Sequence, residues 1–186
     1  MSYFLGFITD QESKSKIRRV LAEVDSVFND FDIPVRWVKP NTFHITLYYL
    51  GEKSNFIKEF LLKRKISKIK FEKIKVSFNS IKVGISRNYK ELVYLDLKEG
   101  GEELRKLLLQ VRGVGGKQDT SMFVPHLTIG RVSKELSKEE HRNISNDVSL
   151  LSKKLELNDI HFTIDSIYLI ESKNGDYLPK MKVDAF

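Results

Sequence analysis

Two segments of the chain place a histidine and, two residues on, a threonine inside an otherwise apolar run: FHITLYYLG at 43–51 and VPHLTIGR at 124–131. In an extended strand, residues i and i+2 project from the same side, about 6.5–7 Å apart. His44 and Thr46 therefore share one face of their strand, and His126 and Thr128 share one face of theirs. Each pair sets an imidazole beside a hydroxyl. Two imidazoles facing one cleft suit in-line attack on a phosphodiester. The neutral one takes the proton from the attacking oxygen, and the protonated one gives a proton to the departing oxygen. An ordinary imidazole pKa of about 6.5 keeps both forms accessible near neutrality. The threonine hydroxyls can donate to the nonbridging oxygens, where charge builds in the transition state. Such a reaction needs no metal and no cofactor.

The triplet alone is not diagnostic. The chain has six threonines and four histidines, so chance predicts well under one His-x-Thr, yet a third occurs at His161–Thr163. A lone histidine in a strand is most often a satisfied core residue. Position separates the three cases. His126 follows His44 by close to half the chain, as a duplicated βαβ-type unit would dictate, whereas His161 has no partner at matching spacing and reads as structural or surface. His141, in KEEHRN, reads as an exposed helix residue.

Composition narrows the classes further. The 186 residues are 41% hydrophobic and 31% charged, the mix of a soluble globular protein. The absence of Cys excludes disulfides, zinc–thiolate sites and thiol nucleophiles. The net charge of +7 favours an anionic partner such as nucleic acid, although lysine-rich solvated faces give the same signal. The N-terminal apolar run is too short for a signal or membrane helix. The expectation is a cytoplasmic monomer with no membrane partner.

The elements that must position the two pairs can be read from periodicity. Residues 3–8 form a buried strand, followed by a helix capped by Thr9 or Asp10, with Ile17, Val20, Leu21, Val24, Val27 and Phe28 as its apolar stripe. Strands follow at 35–38 and 43–51, then a helix at 52–63 with Phe56, Ile57, Phe60 and Leu61 inward. A hairpin joins 71–85 to 91–98 across SRNYK. A helix at 100–113, a strand at 123–132, a helix over 134–155, one long strand at 160–172 and a short last strand from Pro179 complete the order. The class is α+β with antiparallel sheets. No linker divides the chain. The basic stretch 63–75 reads as a solvated face, and the glycines of 111–119 read as a loop without the ending of a phosphate-binding P-loop.

The extended motifs resemble those of the 2H phosphoesterase superfamily, named for its paired His-x-Thr elements, and within it the RNA 2′,3′-cyclic phosphodiesterases, also called 2′-5′ RNA ligases. VRWVKPNTFHITLYYLGE is similar to that family's approach to its first motif. MFVPHLTIGRV is similar to its second, with a Phe three residues before the histidine and an Arg five after it. IYLIESKNGDYLP resembles its C-terminal strand and tyrosine-bearing turn. The resemblance covers nearly the whole chain. It implies one domain over residues 1–186: a bilobal, duplicated α+β fold with two antiparallel sheets flanked by helices around a central cleft. The implied activity is hydrolysis of an RNA or nucleoside 2′,3′-cyclic phosphate to the 2′-phosphate, with 2′-5′ ligation as its reverse. By the same resemblance, His44 and His126 would be the acid–base pair, with His126 activating water and His44 protonating the 3′ oxygen. Thr46, Thr128 and Arg131 would hold the phosphate, and Phe123 would stack on the base. The sequence departs from the family at Tyr48–Tyr49, and at Ile129–Gly130, where the glycine is expected to loosen the strand end beside Arg131. The turn carrying Tyr177 is also short, which weakens the case for a base contact there. Two other readings compete: a nonenzymatic nucleotide- or RNA-binding module, and a 2H enzyme acting on another substrate such as 2′-5′ oligoadenylate.

Overall fold

A computed structural model describes residues 1–52, 62–84, 91–112, 123–173 and 176–186. Its strands are β1 (Ser2–Ile8), β2 (Val35–Trp37), β3 (His44–Glu52), β4 (Ile74–Val83), β5 (Leu92–Glu99), β6 (His126–Val132), β7 (His161–Ile164), β8 (Ser166–Lys173) and β9 (Asp176–Asp184). The described residues include the helices α1 (Gln11–Asp30), α2 (Gly101–Val111) and α3 (Lys138–Lys154), and residues 62–66 are helical as well. The helix expected at 52–63 lies almost wholly outside the described residues, as do the SRNYK turn and most of the glycine loop.

Every strand pairing is antiparallel, and the order across the sheet is β7-β4-β5-β6-β3-β1-β8-β9, with β2 added to β6. The two runs of four, β7-β4-β5-β6 and β3-β1-β8-β9, meet where β3 pairs with β6. That seam is short, the one β3–β6 pair in register being Ile45 with Leu127. Each run contains a strand–helix–strand unit whose strands lie side by side: β1 and β3 in one, β5 and β6 in the other. The topology is thus duplicated, with its two runs joined into one continuous sheet rather than two separate ones.

One face of the sheet is dry. Ile45, Leu127, Leu5, Phe7, Val93 and Leu95 are buried there. The apolar stripes of α1 (Ile17, Val20, Val24, Phe28) and α2 (Leu104, Leu107, Leu108, Val111), with Ile144 and Val148 of α3, join them in one core cluster. Asp10, rather than Thr9, caps α1 by accepting from the Ser13 amide at 2.7 Å. Thr9 is instead buried, and its hydroxyl donates to the Phe43 carbonyl at 3.1 Å, pinning the chain just before His44. Ser137 and Glu140 form a reciprocal capping box at the start of α3.

The expected long strand at 160–172 is two strands. It breaks at Asp165, and β7 pairs with β4 while β8 pairs with β1, so the chain passes from one half to the other there. Apolar periodicity runs unbroken through the crossing because both strands face the same core, and periodicity cannot register a change of neighbour. The last strand is also longer than expected, starting at Asp176. Its Pro179 is tolerated because β9 is an edge strand.

Candidate active site

Opposite residues of an antiparallel pair point to the same face. Since Ile45 and Leu127 both face the core, continuing their register by one residue each way sets His44 across from Thr128 and Thr46 across from His126, all four on the opposite, open face. Imidazole and hydroxyl thus alternate around a four-cornered site. The histidines occupy one diagonal, roughly 7–8 Å apart at the backbone in an ideal ladder. All four side chains are half-buried.

Both imidazoles are held in the same way. Nδ1 of His44 lies 2.7 Å from the Thr42 carbonyl, and Nδ1 of His126 lies 2.7 Å from the Val124 carbonyl. A carbonyl only accepts, so Nδ1 carries the proton in each ring. The neutral tautomer then leaves an Nε2 lone pair for chemistry, and the protonated form leaves an Nε2–H. Burial pulls the pKa of His44 below the ordinary imidazole value. The Thr42 hydrogen bond opposes that shift, and positive charge on His126 adds to it. Burial likewise lowers His126, opposed by the Val124 bond, with Arg131 lowering it further and Asp96 raising it.

Ring contacts buttress the pair. Phe4 and Tyr177 pack on His44 with centroids at 4.9 and 4.7 Å, and Tyr94 packs edge-on against His126 at 5.2 Å. Tyr177 therefore belongs to the site surroundings even though its turn is short. Sequence reading gave no site role to Phe4, Tyr94 or Asp96. Strand register brings two of them in: Tyr94 pairs with Thr128 and Asp96 with His126.

Arg131 poses a parity problem. It lies five residues from His126, so a regular strand would send it to the core. A register shift on β6, where Val93 pairs with Gly130 but Tyr94 pairs with Thr128, leaves Ile129 as an extra residue. Ile129 and Gly130 are both buried, and Arg131 emerges on the open face. The bulge, a known means of re-aiming a side chain, performs that turn here. Gly130 does not loosen the strand end as expected. It lies under Trp37, where a Cβ would come within 2.6 Å of the indole ring. The Trp37 indole N–H in turn donates to Asp25 of α1 at 2.6 Å, and its ring meets Phe28 edge-on. The Arg131 guanidinium donates to Glu91 at 3.1 Å. Phe123 is half-buried and packs against the core cluster.

His161 is exposed on β7, its carbonyl accepting from the Ser13 hydroxyl at 3.0 Å, so it stands apart from the site. His141 is half-buried rather than exposed, and its Nε2 has no hydrogen-bond partner among the described residues. No helix among the described residues is long and apolar enough to cross a membrane.

Two imidazoles held by matching Nδ1 bonds thus stand on one open face of an antiparallel sheet. The chain superposes on the crystal structure of LigT from E. coli complexed with 3′-AMP, with a TM-score of 0.70 at 18% identity, covering 99% of this chain and 97% of that one. It also superposes on Usb1 of Kluyveromyces marxianus, with a TM-score of 0.64 at 12% identity over 96% and 95%. Residues 35–176 match the model of the 2′-5′ RNA ligase superfamily, and the chain belongs to that superfamily. An RNA 2′,3′-cyclic phosphodiesterase of Archaeoglobus fulgidus is 28% identical over 138 residues, 73% of this chain and 74% of that protein. One of Aquifex aeolicus is 25% identical over 89% of this chain and 96% of that protein.

Proposed function

We propose that the protein hydrolyses RNA or nucleoside 2′,3′-cyclic phosphates to 2′-phosphates, without a metal, through His44 and His126. The observation that carries this reading is the matched pair of imidazoles on one open face, each with Nδ1 tied to the carbonyl two residues back, which leaves Nε2 as the nitrogen for chemistry. The names of the relatives from Archaeoglobus fulgidus and Aquifex aeolicus support the same activity.

In this reading Nε2 of His126 takes a proton from water as the water oxygen bonds to phosphorus. The bond from phosphorus to the 3′ oxygen breaks, and Nε2–H of His44 supplies the proton that oxygen needs. Thr46, Thr128 and Arg131 donate to the nonbridging oxygens, the guanidinium being suited to two parallel bonds. Arg131 exchanges Glu91 for the substrate in doing so. Phe123 stacks on the terminal base. The incoming phosphate monoanion favours protonated imidazole, which supplies the acid that burial disfavours in the empty site. With a ribose 5′ hydroxyl in place of water, the same steps join a 2′-5′ linkage and free the 3′ hydroxyl. The site is completed only by both halves of the chain, which are read as lobes of one domain.

The test is incubation of adenosine 2′,3′-cyclic phosphate with wild type, His44→Ala and His126→Ala in EDTA, separating the 2′- and 3′-monophosphates. Wild type should release the 2′-phosphate, and each variant should lose about 10²–10⁴-fold in rate while keeping the wild-type circular dichroism spectrum. Full turnover in both single variants would refute the pair. Saturable RNA binding with no product would point to a binding module instead.

A further inference from the structure

A second cleft, of about 180 Å³, lies between the first turns of α1 and the 3₁₀ turn at Pro40–Thr42. Lys14 and Arg18, one helical turn apart on the same flank of α1, form one wall with Gln11 and Ser15, and Pro40 and Asn41 form the other. No acidic side chain among the described residues lines it. Among the described residues neither cation has a carboxylate within ion-pair distance, and Glu12, the acid on the same helical turn, is taken by Lys16 at 2.7 Å. Two unpaired cations beside amide and hydroxyl groups make a receptor for a phosphate.

The 3₁₀ turn that supplies Pro40 and Asn41 to this cleft ends at Thr42, two residues before His44. Thr42, its last residue, accepts from His44. Lys39, just before it, pairs at 3.9 Å with Asp176, the neighbour of the Tyr177 whose ring lies on His44. Asn41 and His44 are separated by at most about 11 Å of chain, a distance one or two extended nucleotides span.

We propose that this cleft holds a backbone phosphodiester of an RNA strand whose cyclic end lies between the histidines. The preferred substrate is then an oligoribonucleotide rather than a mononucleotide. This rests on the reading of the histidine site given above. A mononucleotide ends before it reaches the cleft, so the two substrates separate the two sites.

The experiment compares adenosine 2′,3′-cyclic phosphate with a short oligoadenylate ending in a 2′,3′-cyclic phosphate, for wild type, Lys14→Ala/Arg18→Ala and Lys14→Arg, across a salt series. The double variant should raise KM for the oligonucleotide several-fold. It should also make the slope of log KM against log salt shallower by about 0.7, the value of one phosphate contact on a single strand. KM for the mononucleotide should stay at the wild-type value, and Lys14→Arg should behave as wild type on both. An unchanged oligonucleotide slope in the double variant, or equal changes in KM for both substrates, would overturn the proposal. Wild-type inactivity on both substrates would instead refute the hydrolytic reading. The cleft would then be judged by the salt slope of Kd for the same oligonucleotide, fluorescently labelled and followed by anisotropy, where the same loss of about 0.7 is expected.

Discussion

At the scale of single residues, His44 and His126 hold a proton less readily than a free imidazole because they are partly removed from water, even with Nδ1 hydrogen-bonded. Between their lowered folded pKa and the unfolded value of about 6.5, the unfolded chain carries protons that the folded chain does not. Stability is therefore full above about 6.5, falls as pH drops through that window and loses nothing more from these groups below it. His44→Ala removes one contributor. The melting temperature of this variant should fall less between pH 8 and pH 5 than that of wild type, and an equal or larger fall would contradict the assignment. The same shift bears on turnover: kcat/KM, which reports the free enzyme, should decline above a pH lower than an ordinary imidazole would give. The two His-x-Thr pairs were legible in sequence because strand parity alone puts each imidazole beside its hydroxyl. The packing of Phe4, Tyr94 and Tyr177 was not legible, because those rings arrive from neighbouring strands whose register no local pattern records.

At the scale of elements, the bulge at Ile129–Gly130 decides where Arg131 points. Alternation read along VPHLTIGRV places that arginine on the wrong face, and only pairing with β5 reveals the extra residue. Gly130→Ala should cost about 1–3 kcal/mol, because the added methyl meets the Trp37 ring and Trp37 is braced against α1. The expected result is a lower melting temperature and a raised KM for the cyclic nucleotide, as the strand end carrying Arg131 shifts. A variant with wild-type melting temperature and KM would show that the ring yields freely. The division of 160–172 into β7 and β8 escaped sequence reading for a related reason. Both strands are apolar toward one core, and nothing within 13 residues of sequence marks the change of partner.

At the scale of the whole molecule, the helix and strand content and the two-half plan were legible because the halves repeat the same strand–helix–strand order. The connections were not. The described residues between Ile74 and Ile164 belong to one half, and its two ends meet, since Ile74 lies opposite Ile164. The other half is assembled from chain on both sides of that insertion. Yet β2, from the outer half, pairs with β6 of the inserted one, setting Trp37 over Gly130. Recombination between relatives can therefore exchange 74–164 as a cassette, its boundaries adjacent in space, only when the donor's residue at 130 suits the recipient's at 37. Chimeras that respect this pairing should recover activity although each imidazole has a different parent. Those that set a side chain beneath the tryptophan should melt at a lower temperature and show a raised KM, as is expected of Gly130→Ala. The two positions, far apart along the gene, would then have to be exchanged together.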